Sequence, residues 1–230
     1  MALSFTGLTS GFYGNPIPST SEDTASITPT ANRLIIADIL SLDSSGLNAG
    51  AAPSSLTSTG LTWVKITDVS YSLAGFTTYL SRWRAMGASP SAGVVTIAFP
   101  PTGQTDIIWS IYESNGDVDT TGTNGSGAIV QSVTNTGTGT SLAVTLAAFG
   151  SADNSALGFF GTENAGSFTV GSGFTQIHAL DVSLTEHKLN DTSVDATYSV
   201  SGNWAGIATE VKAATAAFDQ KKASSFLSFF

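Results

Sequence analysis

The chain of 230 residues contains no cysteine, which excludes a disulfide framework, a thiolate nucleophile and a cysteine-held metal. It has no run of 18 apolar residues, so a helical membrane span is not expected. Its start, MALSFTGLTSGFYG, lacks the basic region and long apolar stretch of a standard secretory signal, and synthesis in the cytoplasm is the expectation. Basic residues are scarce, and none lies between Arg84 and Lys188. That stretch holds eight carboxylates: Asp106, Glu113, Asp117, Asp119, Asp153, Glu163, Asp181 and Glu186. With a net charge of -9, such a surface cannot neutralise phosphates, so nucleic acid is excluded as a partner. Charge of either sign is low, at 11% of residues against about 25% in ordinary domains. Surfaces that end up against other polypeptides are depleted in charge, because unpaired ions are costly to desolvate.

What remains is Gly, Ser, Thr, Asn and β-forming hydrophobics. A hydrophobic share of 41% suffices for a substantial core. Residues 1–30 read as a short strand followed by an arm, because Pro16, Pro18 and Pro29 remove ladder donors. Asn32–Leu40 reads as a buried strand, and residues 41–60 as loop. From Leu61 onward, short strands follow one another between turn clusters such as PPTGQT, SNGD, NTGTGT and SGN. Ile107, Trp109 and Ile111 share one face. In Phe76–Met86, Tyr79, Trp83 and Ala85 fall on one side, with Arg82 and Arg84 on the other. Val194, Ala196, Tyr198 and Val200 give the cleanest alternation. No internal repeat at a fixed period is visible. The expected fold is all-β, a jelly-roll-like antiparallel β-sandwich over residues 31–212, with an N-terminal arm (1–30) and an apolar C-terminal tail (213–230).

Candidate chemistry is sparse. His178 and His187, the two histidines, lie in a strand pattern and in a charged turn region, where structural roles are the simpler reading. Glu113, after Trp109 and Tyr112, is the best single candidate for a glycosidase acid, with Asp117 or Asp119 across the turn. The run DVDTTG resembles the start of a calcium loop at Asp117 and Asp119. Position 5 is Thr121 and position 12 is Ala128, so the bidentate ligand is missing and no metal or cofactor is expected. Trp63, Trp83 and Tyr112 are the candidates for stacking on a glycan, whereas Trp109 and Trp204 sit in apolar strands suited to a core. The closing FLSFF places Phe226, Leu227, Phe229 and Phe230 at a chain end, where they must be covered, in the same chain or in a neighbour. Lys221 and Lys222 stand just before them as the one adjacent basic pair.

AGVVTIAFP, IIWSIYESNGDVDTTG, LAVTLAAF, GSGFTQIHAL and SGNWAGIATEVK, in that order over about residues 31–212, resemble a family of bacterial and phage jelly-roll proteins. The resemblance implies a decoration, minor capsid or tail protein of a virion, and it carries no catalytic residue. The expected function is therefore a non-enzymatic structural protein of a bacteriophage virion, made in the host cytoplasm. It would assemble as a homo-oligomer with capsid or tail proteins through arm, tail and sandwich edges. The alternative is a tail accessory or lectin-like module that recognises a glycan.

Overall fold

A computed structural model describes residues 2–46, 49–73, 75–180 and 182–215. The chain is an antiparallel β-sandwich, in agreement with the turn spacing of the sequence, and its strands divide by halves of the chain. In the first half, β1 (Phe5–Ser19), β9 (Gln104–Ser114), β3 (Ile35–Leu42), β7 (Phe76–Ala85) and β6 (Val64–Leu73) lie side by side in that order. A second sheet, β2 (Ser21–Asp23), β8 (Thr96–Ala98), β4 (Ser55–Ser58) and β5 (Leu61–Thr62), covers the outer face of the first. The second half forms the order β10 (Ile129–Thr145), β15 (Ser193–Val211), β11 (Ser155–Thr162), β14 (Ser183–Leu189) and β13 (Thr175–Leu180). There β12 (Phe168–Val170) pairs with the early part of β15.

The two five-stranded arrays repeat one plan. Counting strands in chain order, each runs first, last, second, fourth, third. The covers correspond as well. In the first half β2 and β4 flank β8. In the second, residues 141–145 of β10 and β12 flank the start of β15. Both long strands shift register between Gly139 and Ser141, so the pair folds over its own sheet. A matched detail marks the correspondence. Gly11 of β1 stands opposite Trp109 of β9, and Gly137 of β10 stands opposite Trp204 of β15. Each indole lies across its glycine, and a Cβ on Gly137 would come within 2.7 Å of Trp204 Cζ2.

The five-stranded sheets face one another, and their central strands, such as β3 and β11, are buried on both sides. Leu34, Ile36 and Tyr112 meet Leu157 and Val211 near one end of the interface. Leu40, Leu42, Leu80 and Ile108 meet Phe159, Ala205 and Ile207 near the other. The alternate residues Ile35, Ala37 and Ile39 point instead into the first cover, against Leu56, Val95 and Ile97. Ala156, Phe160 and Leu184 likewise point into the second cover, against Val144, Val194 and Tyr198.

Several expectations are corrected. Residues 5–19 are not a free arm. They form β1, hydrogen-bonded to β9 from Phe5 to Gly14, and Pro16 and Pro18 fall where the register shifts and ladder donors are not needed. NTGTGT and SGN are not turns but parts of β10 and β15, accommodated by the bulge at Gly139 (φ 116°). The charged run TEHKL lies in β14, an interior strand of its sheet. The alternation of Trp83 and Arg82 across β7 does not set inside against outside: Arg82 is fully buried between the sheets, because the side of β7 opposite Trp83 faces a second core.

Candidate functional site

Several ionisable side chains of the interior are held by the fold itself. Arg82 Nε and Nη2 donate to Asp38 Oδ1 (2.7 Å) and Oδ2 (2.8 Å), a bidentate pair at the centre of the sandwich. Tyr112 Oη donates to Asp38 Oδ2 at 2.8 Å. Arg82 Nη1 crosses to the other sheet and donates to Leu157 O (3.1 Å) and Thr209 Oγ1 (3.0 Å). Burial pushes the Tyr112 hydroxyl well above its ordinary range. This cluster ties the two halves together and leaves its polar atoms no direction toward solvent.

The candidate stacking residues are in the cores. Trp63, Trp83 and Tyr112 are 8%, 5% and 0% exposed, so the platform anticipated from the sequence presents no ring face to a sugar. Trp63 Nε1 donates to Ser58 Oγ, and Trp83 packs in the first cover. Trp109 and Trp204 are buried too, in keeping with their apolar strands.

Glu113, the candidate acid, is buried with both oxygens engaged. Oε2 accepts from Thr30 N and Oε1 from Thr30 Oγ1, both at 2.8 Å, with Arg33 Nη1 3.6 Å from Oε1. It fastens the segment before β3. Asp119 accepts from Thr121 N at 2.8 Å and pairs with Lys212 Nζ at 2.6 Å. Hydrogen bonding from Lys212, with that from Thr121, holds its carboxyl down at about 2. The backbone of Asp117, Val118 and Asp119 pairs with the last described residues: Val118 bridges Ala213, Asp119 N donates to Lys212 O, and Ala214 N donates to Asp117 O. The acidic loop therefore pins the exit of the chain. Among the described residues no group of three or more His, Asp or Glu is placed to hold a metal ion.

His178 and His187 lie on the paired strands β13 and β14 but not opposite one another: Thr175 faces His187, and His178 faces Thr185. His187 packs edge-on against Phe5, with ring centroids 5.4 Å apart. Burial lowers the pKa of both histidines. Between them in sequence lies an acid that the sequence reading passed over. Glu186 is fully buried beneath the second cover, where Oε2 accepts from Gly171 N at 3.2 Å and Oε1 has no protein partner among the described residues. Burial, reinforced by Asp195 and only partly offset by the Gly171 N–H, pushes its carboxyl up to about 8. Its position inside a polar run gave no hint of burial; only the pairing of β14 between β11 and β13 reveals it.

A cleft of about 680 Å³ lies beside the chain exit. Ile129, Val130, Ala213 and Ala214 contribute its apolar surface, and Val130 is 51% exposed. Asp153 and Glu210 are its carboxylates. Glu210 is fixed by Gln131 Nε2 and Asn154 Nδ2, each at 2.6 Å. Thr215, the last described residue, lies in its wall. The tail candidates Lys221, Lys222, Phe226, Leu227, Phe229 and Phe230 lie outside the described residues.

No protein-family model, no curated protein and no solved structure matches the chain.

Proposed function

We propose that this chain is a non-enzymatic structural protein that assembles into a larger particle, a decoration or minor capsid component of a bacteriophage virion. The observation that carries the reading is the state of its strand edges. β1 and β10, the first strands of the two halves, each end a five-stranded array, and neither contains a charged residue. Exposed edges invite pairing with other chains and are commonly blunted with Lys or inward charges. Here they carry exposed apolar side chains instead: Phe12 and Ile17 on β1, Val130 and Val133 on β10. Arg82, Asp38, Glu113 and Asp119, by contrast, are committed to holding the fold.

The pairing pattern supports the setting. In the first half, β1 with β9, β2 with β8, β3 with β7 and β4 with β5 form a nested ribbon. We read this ribbon as a jelly roll and the second half as its counterpart, two such units facing each other in one chain. The motif resemblance to phage jelly-roll proteins points the same way. A homo-oligomer is the expected form.

The test is light scattering on the purified chain across concentration, with electron microscopy of the largest species. Closed oligomers or shells are expected. A single chain at every concentration up to the solubility limit, together with tight retention on a glycan affinity column, would replace this reading with the lectin-like one.

A further inference from the structure

Resting on the assembly reading, we propose that residues 226–230 (FLSFF) of one copy dock in the cleft beside the chain exit of a second copy. The cleft has an apolar side among its polar lining residues. It offers Ile129, Val130, Ala213 and Ala214, and its volume of about 680 Å³ is of the size that takes a compact apolar group. The chain itself supplies one. Fifteen residues follow Thr215, and four of the last five are Phe or Leu.

The place where the described residues leave the fold favours the neighbour over the parent. Val118, Asp117 and Asp119 fix the exit at the cleft wall, so an occupant from the same chain would need almost no linker. The sequence instead inserts ten residues, AAFDQKKASS, before the apolar cluster. Extended, these reach about 33 Å. That is close to twice the radius of gyration expected for a chain of this length, about 17 Å, so the spacer is long enough to carry the cluster to a second copy.

Charge agrees. Lys212 in the cleft is neutralised by Asp119, and Glu210 is buried with both oxygens engaged, whereas the exposed Asp153 is in no ion pair among the described residues. Lys221 and Lys222 in the spacer complement Asp153. Reciprocal exchange between two copies makes the contact isologous, with each chain both donor and acceptor.

The absence of native cysteine makes the test direct. A Val130→Cys chain is mixed with a Leu227→Cys chain and oxidised, with Val94→Cys, exposed in the other half of the chain, replacing Val130→Cys as the control. The expected result is a two-chain disulfide product several-fold above the control. A chain truncated after Thr215 should keep its circular dichroism but shift from the oligomer to the mass of one chain. The double variant Val130→Cys/Leu227→Cys closing mainly within one chain overturns the proposal in favour of docking in the parent, and no cross-link in any mixture overturns it outright. An oligomer that survives truncation sinks this inference and leaves the assembly reading standing. A full-length chain that never exceeds one copy sinks both.

Discussion

Replacing Asp38 with asparagine keeps the shape of the side chain and removes the charge that faces Arg82. The guanidinium remains buried, with only Leu157 O and Thr209 Oγ1 as acceptors beyond the altered group. Breaking a buried pair from one side costs about 3–5 kcal/mol, because the remaining ion is left uncompensated in a poorly polarisable interior. For a chain of this size that corresponds to a fall in melting temperature of about 6–20 °C. Tyr112 suffers as well, since its hydroxyl donates to the same carboxylate. The assay is urea denaturation of Asp38→Asn, Arg82→Met and the pair Asp38→Leu/Arg82→Met, each read as a free energy. Removing both ions together should cost less than either single change. The residual of about 1–3 kcal/mol would come from the orphaned Tyr112 hydroxyl, and Tyr112→Phe in the same background should recover most of it. A loss under about 1 kcal/mol for Asp38→Asn would refute the reasoning, as would a double variant as damaged as the sum of the singles.

Three other outcomes follow from the interior. Glu186 has a folded pKa raised above its unfolded value, so its contribution is fully present below about pH 4.3 and is lost as pH rises toward about 8. Glu186→Gln should therefore gain stability over wild type progressively from pH 5 to 8.5, on the order of 2–4 kcal/mol at the upper end; equal denaturation midpoints at pH 8.5 would contradict it. His178 and His187 have folded pKa values lowered by burial, so their neutral forms favour the native state and stability falls as pH drops through about 6.5. Melting temperatures of His178→Gln/His187→Gln should be flatter than wild type between pH 7 and 5, and an unchanged slope would count against this. Gly137→Val places side-chain atoms where the Trp204 indole lies and should cost about 1–3 kcal/mol with a shift in tryptophan emission; a silent substitution would mean that the ring moves freely.

The alternation of Ile107, Trp109 and Ile111 and the buried run around Ile36 were legible because each core takes every second residue of a strand. The same rule gives no hint that Arg82 is buried: period two separates the two faces of a strand, both faces of an inner sheet are inside, and the polar partner Asp38 lies far away in sequence. β14 escaped notice because Thr185, Glu186, His187 and Lys188 look like a solvated turn, and only pairing on both sides makes the run a strand. β1 and the middle of β10 were hidden by proline and glycine, which the folded ladder tolerates at its register shifts. The correspondence between halves could not be found as a fixed period, since the connections differ in length and only geometry is shared. The cleft depends on residues from 126 to 215 meeting at one place, which no local pattern encodes.

The facing of the two five-stranded sheets has a consequence for how the polypeptide comes to exist at all. Each half would expose its inner apolar wall until the other arrives, so synthesis of residues 1–115 alone leaves a greasy slab awaiting its lid. Pairs such as β1 with β9 and β10 with β15 close loops of many tens of residues, and such closures are slow. A backbone nick in the link between Ser114 and Ile129 should be tolerated once the halves have met. Made before then, the same cut would leave two fragments that stay in solution only in each other's company.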